Sequence, residues 1–275
     1  MPGSSSPAAP LPVAAVQMVS TPDVAENLAA AGEGIARAVA GGARLVLLPE
    51  YFCLMGLSET DKVRVRETEG EGPIQAFLAE SAARHGIWLA GGTLPLACSE
   101  PDRVYNTTLV YGPEGQRVAR YDKIHLFRFF QGGDAFDEAR TIVPGRTPVA
   151  FDGPGARVGL SICYDLRFPE LYRALGEVDL ILVPSAFTYA TGKAHWEMLL
   201  RARAVENQCY VLAAAQGGTH PSGRRTWGHS LLIDPWGEVL DCCETGPGVA
   251  AGLVDPARLA QVRAALPALS HRVLA

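Results

Sequence analysis

The sequence predicts an α/β fold in which two sheets pack face to face with helices outside them. Three observations predict it. Short, wholly apolar runs such as Leu45–Leu48 and Leu180–Val183 read as strands covered on both faces. Segments of helical periodicity alternate with these runs. The second half of the chain repeats the grammar of the first, giving two half-motifs whose sheets bury each other in a helix–sheet–sheet–helix sandwich.

The elements follow in order. Residues Val13 to Met18 form a buried strand, and Thr21-Pro22-Asp23 opens a helix with proline at its first position. Apolar residues recur at helical spacing from Val24 to Val39, and Gly41-Gly42 ends the run. A second helix covers Ile74 to Arg84, a buried strand Ile87 to Gly91, and a hairpin Val104 to Lys123, turning at Gly112-Pro113-Glu114-Gly115. In the second half, Val158 to Ile162 is a strand, Pro169 to Leu175 a short helix and Leu180 to Val183 a strand. A helix over Ala194 to Asn207, a strand over Tyr210 to Ala215 and a hairpin over Ser230 to Cys242, turning at Asp234-Pro235-Trp236-Gly237, complete it. The pairing of Leu45–Phe52 with Leu180–Phe187, and of the two turns, suggests internal duplication. Chance recurrence of apolar strands and Pro-Gly turns gives the same pairs.

Composition narrows the function. The 275 residues are 48% hydrophobic and 19% charged, which favours a large core. A formal net charge of −5 and the lack of a basic run with interleaved aromatics argue against nucleic acid and an anionic membrane surface. No apolar stretch reaches the ~18 residues of a membrane span. Residues 1–10 read as a loose Pro/Ser-rich tail, and residues 11–273 as a single domain. Six cysteines show neither metal-ligand nor disulfide-framework spacing, which suits free thiols in a reducing cytoplasm.

Three reactive residues stand where strands run out. Glu50 follows Leu45-Val46-Leu47-Leu48-Pro49, Lys123 ends a hairpin strand, and Cys163 follows Val158–Ile162 just ahead of the helix starting at Pro169. A carboxylate, an ammonium and a thiol supply a base, an oxyanion donor and a nucleophile for acyl transfer. A sharp strand-to-helix turn would lift Cys163 out of the sheet and aim backbone N–H groups, that of Tyr164 first, at an oxyanion. Each residue alone also reads blandly, as a core cysteine, a strand-end glutamate and a solvated lysine.

Taken together, Leu48-Pro49-Glu50, Tyr121-x-Lys123-x-His125-Leu126 and Ile162-Cys163-Tyr164-Asp165-x-Arg167-Phe168-Pro169-Glu170 resemble the motifs of the nitrilase superfamily of carbon–nitrogen hydrolases, in that family's order. Pro144-Gly145, the stretch from His195-Trp196-Glu197 to Asn207, and Gly228-His229-Ser230 extend the resemblance over about residues 11–273. It implies a four-layer αββα sandwich, a homodimer, a Glu–Lys–Cys triad on Glu50, Lys123 and Cys163, and no cofactor or metal. It makes His125 structural. The family's second glutamate falls on Glu138, with Asp134 and Asp137 as neighbours that compete for the assignment. A solvated acidic loop is the bland reading of that stretch.

Tyr164-Asp165 after the cysteine, where nitrilases carry Trp-Glu, implies an amidase acting on a small carboxylated amide. Ala194–Glu197, Gln208–Val211 and Ala213–Gln216 resemble the deaminated glutathione amidases. The ω-amidases, which release ammonia from 2-oxo-acid amides, share most of the rest. A relative that only binds acyl metabolites or a partner would have lost a triad member, and none is lost. Arg167, Arg173, Phe187 and His195 are candidate substrate contacts; ion pairing for the arginines and helix packing for His195 are the alternatives.

Overall fold

The computed structural model describes residues 9–131 and 134–273. Residues 1–8, most of the expected tail, lie outside them. Two mixed sheets form the centre. In the first, Gly248–Val254 runs antiparallel to Leu11–Gln17, which is followed by parallel Leu45–Leu47 and Trp88–Ala90. The antiparallel pair Val104–Tyr111 and Arg117–Asp122 comes next, with Leu94–Ala97 alongside. In the second, Ala150–Asp152 runs antiparallel to Arg157–Leu160, followed by parallel Leu180–Ser185 and Tyr210–Ala215. The hairpin Ser230–Ile233 and Val239–Cys243 completes it. Apart from Leu94–Ala97 the two orders match strand for strand, so the repeat read in the sequence corresponds to a repeated topology.

Side-chain alternation builds the layers. From Leu11–Gln17, Val13 and Ala15 point into the core shared with Leu160, Leu182 and Leu212 of the second sheet. Their neighbours Ala14 and Val16 pack under the helices Val24–Ala40 and Pro73–His85, against Ile35 and Leu78. On the far side, the helices Pro169–Ala174 and Tyr189–Asn207 cover the second sheet through Tyr172, Trp196 and Leu200. The result is helix–sheet–sheet–helix.

Two helix starts differ from the sequence reading. Asp23 is the N-cap of the first helix, accepting from the Glu26 N–H at 3.0 Å, so Pro22 precedes the cap instead of occupying the first turn. The helix expected from Ala194 begins at Tyr189, capped by Thr188. Gly192 hid that first turn. Its place is packing: a Cβ there would lie 2.2 Å from Trp227 Cβ. The sequence reading also missed the hairpin Arg128–Gln131 with Asp134–Asp137, the strand Gly248–Val254 and the helix Pro256–Ala265.

The strand ends converge at one edge of the sandwich. Gly92, just past Trp88–Ala90, has φ +52° and lies against the segment carrying Glu50; a Cβ would meet the Pro49 carbonyl at 2.1 Å. The Gly92→Ala variant is expected to lose about 2–4 kcal/mol of stability in urea unfolding, from the left-handed backbone and the clash together. A loss below about 0.5 kcal/mol would contradict this packing.

Candidate active site

Each reactive residue sits just beyond the C-terminal end of a strand, where open α/β sheets place ligands. Cys163 lies three residues past Arg157–Leu160 and opens a 3₁₀ turn, Cys163–Arg167, with φ +48°. That left-handed backbone is uncommon for a side-chain-bearing residue. Asp165 holds the turn. Fully buried, its carboxylate accepts from Ile162 N–H (2.9 Å), Tyr121 hydroxyl (2.7 Å) and His125 N–H (3.0 Å). The His125 ring Nδ1 lies 2.7 Å from the same carboxylate, and the ring stacks on Phe168 at 3.8 Å. His125 thus braces the Cys163 turn.

Glu50 is 1% exposed, and one of its two oxygens is pinned. Oε1 accepts from Lys123 Nζ at 2.8 Å and Asn106 Nδ2 at 2.9 Å. Oε2 makes no hydrogen bond among the described residues. Glu50 lines the cavity that Cys163 also lines. The Glu50 carbonyl accepts from Gln216 Nε2 at 3.1 Å, which ties the residue to the second sheet.

Lys123 is equally buried and bridges to Glu138, 2.9 and 2.8 Å from its two oxygens. Glu138 also accepts from the Tyr51 hydroxyl (2.8 Å) and the Phe127 N–H (2.7 Å). It sits in a 3₁₀ turn, 9% exposed, instead of in a solvated loop. Of its acidic neighbours, Asp137 pairs with Arg128 at 2.8 Å; the Asp134 side chain lies outside the described residues.

The charges explain the protonation states. Burial alone would push the Lys123 ammonium down, but Glu138 and Glu50 overcome it and hold its pKa above the usual lysine range. Burial opposes charge on Glu138 too, and Lys123 nevertheless holds it below the usual carboxylate range. For Cys163, burial and then the nearby Glu50 charge raise the thiol well above its ordinary value. Lys123 and the Ala186 N–H pull the other way without prevailing. The resting group is a neutral thiol beside a carboxylate with one uncommitted oxygen.

The cavity over Cys163 has a volume of about 290 Å³. Tyr164, Arg167, Phe187 and Arg224 are among its walls. Arg167 lies over the Tyr164 and Phe187 rings, at 5.7 and 5.4 Å. Two of the candidates are placed elsewhere. Arg173 is turned by its helix to donate to the Glu206 carbonyl at 2.8 Å. His195 lies 3.4 Å from Arg167 but lines a separate open depression on the outer helix. Sequence reasoning missed Tyr51, Asn106, Ala186 and Arg224. Tyr51 adjoins Glu50, which was a usable signal; the others carry no local mark.

Comparison with known proteins places the chain in a class. Residues 12–264 match the carbon-nitrogen hydrolase family, and the chain belongs to it. It is 44% identical over 270 residues to a deaminated glutathione amidase of Synechocystis, covering 96% of this chain and 98% of that protein. Identity to the human deaminated glutathione amidase is 38%, over 98% of this chain and 84% of the other. Among solved structures, Saccharomyces cerevisiae Nit3, a member of branch 10 of the nitrilase superfamily, has a TM-score of 0.85 at 31% identity, covering 96% and 97% of the two chains. A CN-hydrolase superfamily protein from Xanthomonas campestris, with an arsenic adduct in its active site, has 0.85 at 30%, covering 98% and 99%. Family and relatives make this an amide-hydrolysing enzyme of the α/β nitrilase-like fold.

Removing the shared cation strands two buried carboxylates. The Lys123→Met variant is expected to be about 3–5 kcal/mol less stable than the parent at pH 7. The sign with pH follows from Glu138. Its pairing stabilises the fold above the unfolded carboxylate value of ~4.3 and is lost as pH falls through the lower folded value. The deficit of Lys123→Met, read by urea unfolding, is therefore near its full size from pH 7 down to the unfolded value and shrinks as pH falls below ~4.3. A deficit independent of pH would contradict the ion-pair account.

Proposed function

We propose that the protein is a cysteine amidase that hydrolyses deaminated glutathione to 2-oxoglutarate and Cys-Gly, with Glu50, Lys123 and Cys163 as its catalytic residues. The observation that carries this is a thiol and a half-pinned buried carboxylate lining one cavity, with an ammonium locked behind them. The names of the near-full-length relatives support the substrate.

Glu50 Oε2 takes the thiol proton as Sγ attacks the amide carbon, so no free thiolate need accumulate. The oxyanion is met by the Lys123 ammonium and by the Tyr164 N–H. One such donor contributes ~3–4 kcal/mol to lowering the barrier. Glu50 returns the proton to the departing amine as the C–N bond breaks, leaving a thioester on Cys163. Water then attacks the thioester carbonyl and gives its proton to Glu50. The thiolate leaves, recovers that proton, and 2-oxoglutarate departs. Glu138 holds Lys123 in place throughout. Arg167, a cavity wall residue with no carboxylate partner among the described residues, receives the 2-oxo acid carboxylate, with Phe187 beneath its guanidinium.

The reading extends to a homodimer in the cytoplasm. Six unpaired thiols fit a reducing compartment, and no helix among the described residues is long and apolar enough to cross a membrane.

Two outcomes test the reading. Cys163→Ala is expected to keep its fold and lose at least ~10⁴-fold in kcat, with no acyl-enzyme on acid quench; retained turnover would end the thiol mechanism. Supplied with deaminated glutathione and with 2-oxoglutaramate, which releases ammonia, the enzyme is expected to show the higher kcat/KM on the former. The reverse order would make it an ω-amidase.

A further inference from the structure

Arg224 is absent from the chemistry just described, yet it stands where two chambers meet. It lines the cavity over Cys163 and an adjoining chamber of about 520 Å³ whose walls include Tyr51, Met55, Lys62 and Phe136. Phe127 and Glu138 are the other walls the two share. One residue links Arg224 to the thiol's surroundings: Ala186 lines the same cavity as Cys163, and its carbonyl accepts from Arg224 Nη2 at 3.3 Å.

The guanidinium is poorly satisfied for its position. Of its five donors, that 3.3 Å bond is the only one to reach an oxygen among the described residues. Nη1 meets the Met55 sulfur at 3.8 Å, a weak acceptor, and Nε is buried without a partner. Its guanidinium carbon also lies 5.5 Å from the centre of the Phe136 ring. No carboxylate forms an ion pair with it among the described residues. Lys62, the other cation of the chamber, is already committed to Glu59 at 2.6 Å. A planar fork left open this way matches a bidentate carboxylate.

Direction decides which carboxylate. The departing amine receives its proton from Glu50, so it leaves on the Glu50 side of the sulfur. Tyr51, next to Glu50 in sequence, walls the adjoining chamber and not the smaller cavity. The acyl half stays with Cys163, Phe187 and Arg167 in the smaller cavity. A dipeptide leaving group, at most ~7 Å long when extended, passes Arg224 and carries a terminal carboxylate.

We propose that Arg224 is a specificity-determining residue that binds the carboxylate of a peptide-like leaving group. It selects amides whose amine half is anionic over those whose amine half is neutral. The proposal rests on the amidase reading above and deepens it.

The test uses binding, which is separate from turnover. In the Cys163→Ala protein, calorimetry compares an N-(2-oxoglutaryl) dipeptide bearing a free C-terminal carboxylate with the same compound capped as the carboxamide. The free acid is expected to bind about 10- to 100-fold more tightly, the size of one charge-assisted hydrogen bond. Adding Arg224→Gln is expected to bring the two within about threefold, and Arg224→Lys, which keeps charge without the fork, to an intermediate ratio. Adding Arg167→Gln is expected to weaken both ligands and preserve the ratio, because both keep the 2-oxo acid. A ratio near one in Cys163→Ala, a ratio that survives Arg224→Gln, or no binding of either ligand overturns the assignment. Should Arg224→Gln fail to fold by circular dichroism, the Arg224→Lys ratio and the parent ratio decide. Turnover by the intact enzyme reports separately: a preserved ratio pattern with no release of 2-oxoglutarate would sink the amidase reading and leave Arg224 as a carboxylate anchor.

Discussion

One ammonium shared between two buried carboxylates governs the site. Lys123, Glu50 and Glu138 would each be costly to bury charged and alone. Together they leave one net negative charge, partly met by donors from Asn106, Tyr51 and the Phe127 backbone. Burial first, and then that residual charge, push the Cys163 thiol above its ordinary value. In the mechanism proposed above, the same cluster supplies the base and the cation that act on the Cys163 thiol.

The fold supplies the convergence. Each half of the repeat contributes strands whose C-terminal ends reach the same edge: Glu50 and Lys123 come from the first sheet, Cys163 and Ala186 from the second. Packing sheet against sheet brings these ends together, and a polar seam locks the halves. Gln216 bonds Ser20 (2.7 Å) and the Glu50 carbonyl, while Gln17 accepts from both the Ser230 N–H and hydroxyl. Within this frame, Asp165 sets the Cys163 turn and Gly92 lets the Glu50 segment approach its neighbouring strand.

Much of this was legible in the residues. Strands buried on both faces are unbroken apolar runs, so Leu45–Leu47, Leu180–Ser185 and Tyr210–Ala215 stand out, and the order of the motifs points to Glu50, Lys123 and Cys163. The rest depends on long-range partners. Asn106 meets Glu50 across 56 positions, and Gln216 meets it across 166. The strand Gly248–Val254 is half exposed and lacks a clear period. Arg173 and His195 lie near the right segments, but helix direction turns the first to a carbonyl and sets the second on the outer surface. Arg224 sits in a Gly/Ser-rich loop where a basic residue looks solvated; only the folded chain shows its guanidinium between two chambers.

The buried cluster stands or falls with the charge on Lys123. With selectively ¹⁵N-labelled lysine and Lys123→Met for assignment, side-chain NMR follows Nζ as pH rises. The account requires Lys123 to remain an ammonium beyond the ~10.4 at which an unperturbed lysine loses half its charge. A neutral Lys123 amine at pH 9 would contradict it, because the two carboxylates would then lack the cation that keeps them buried.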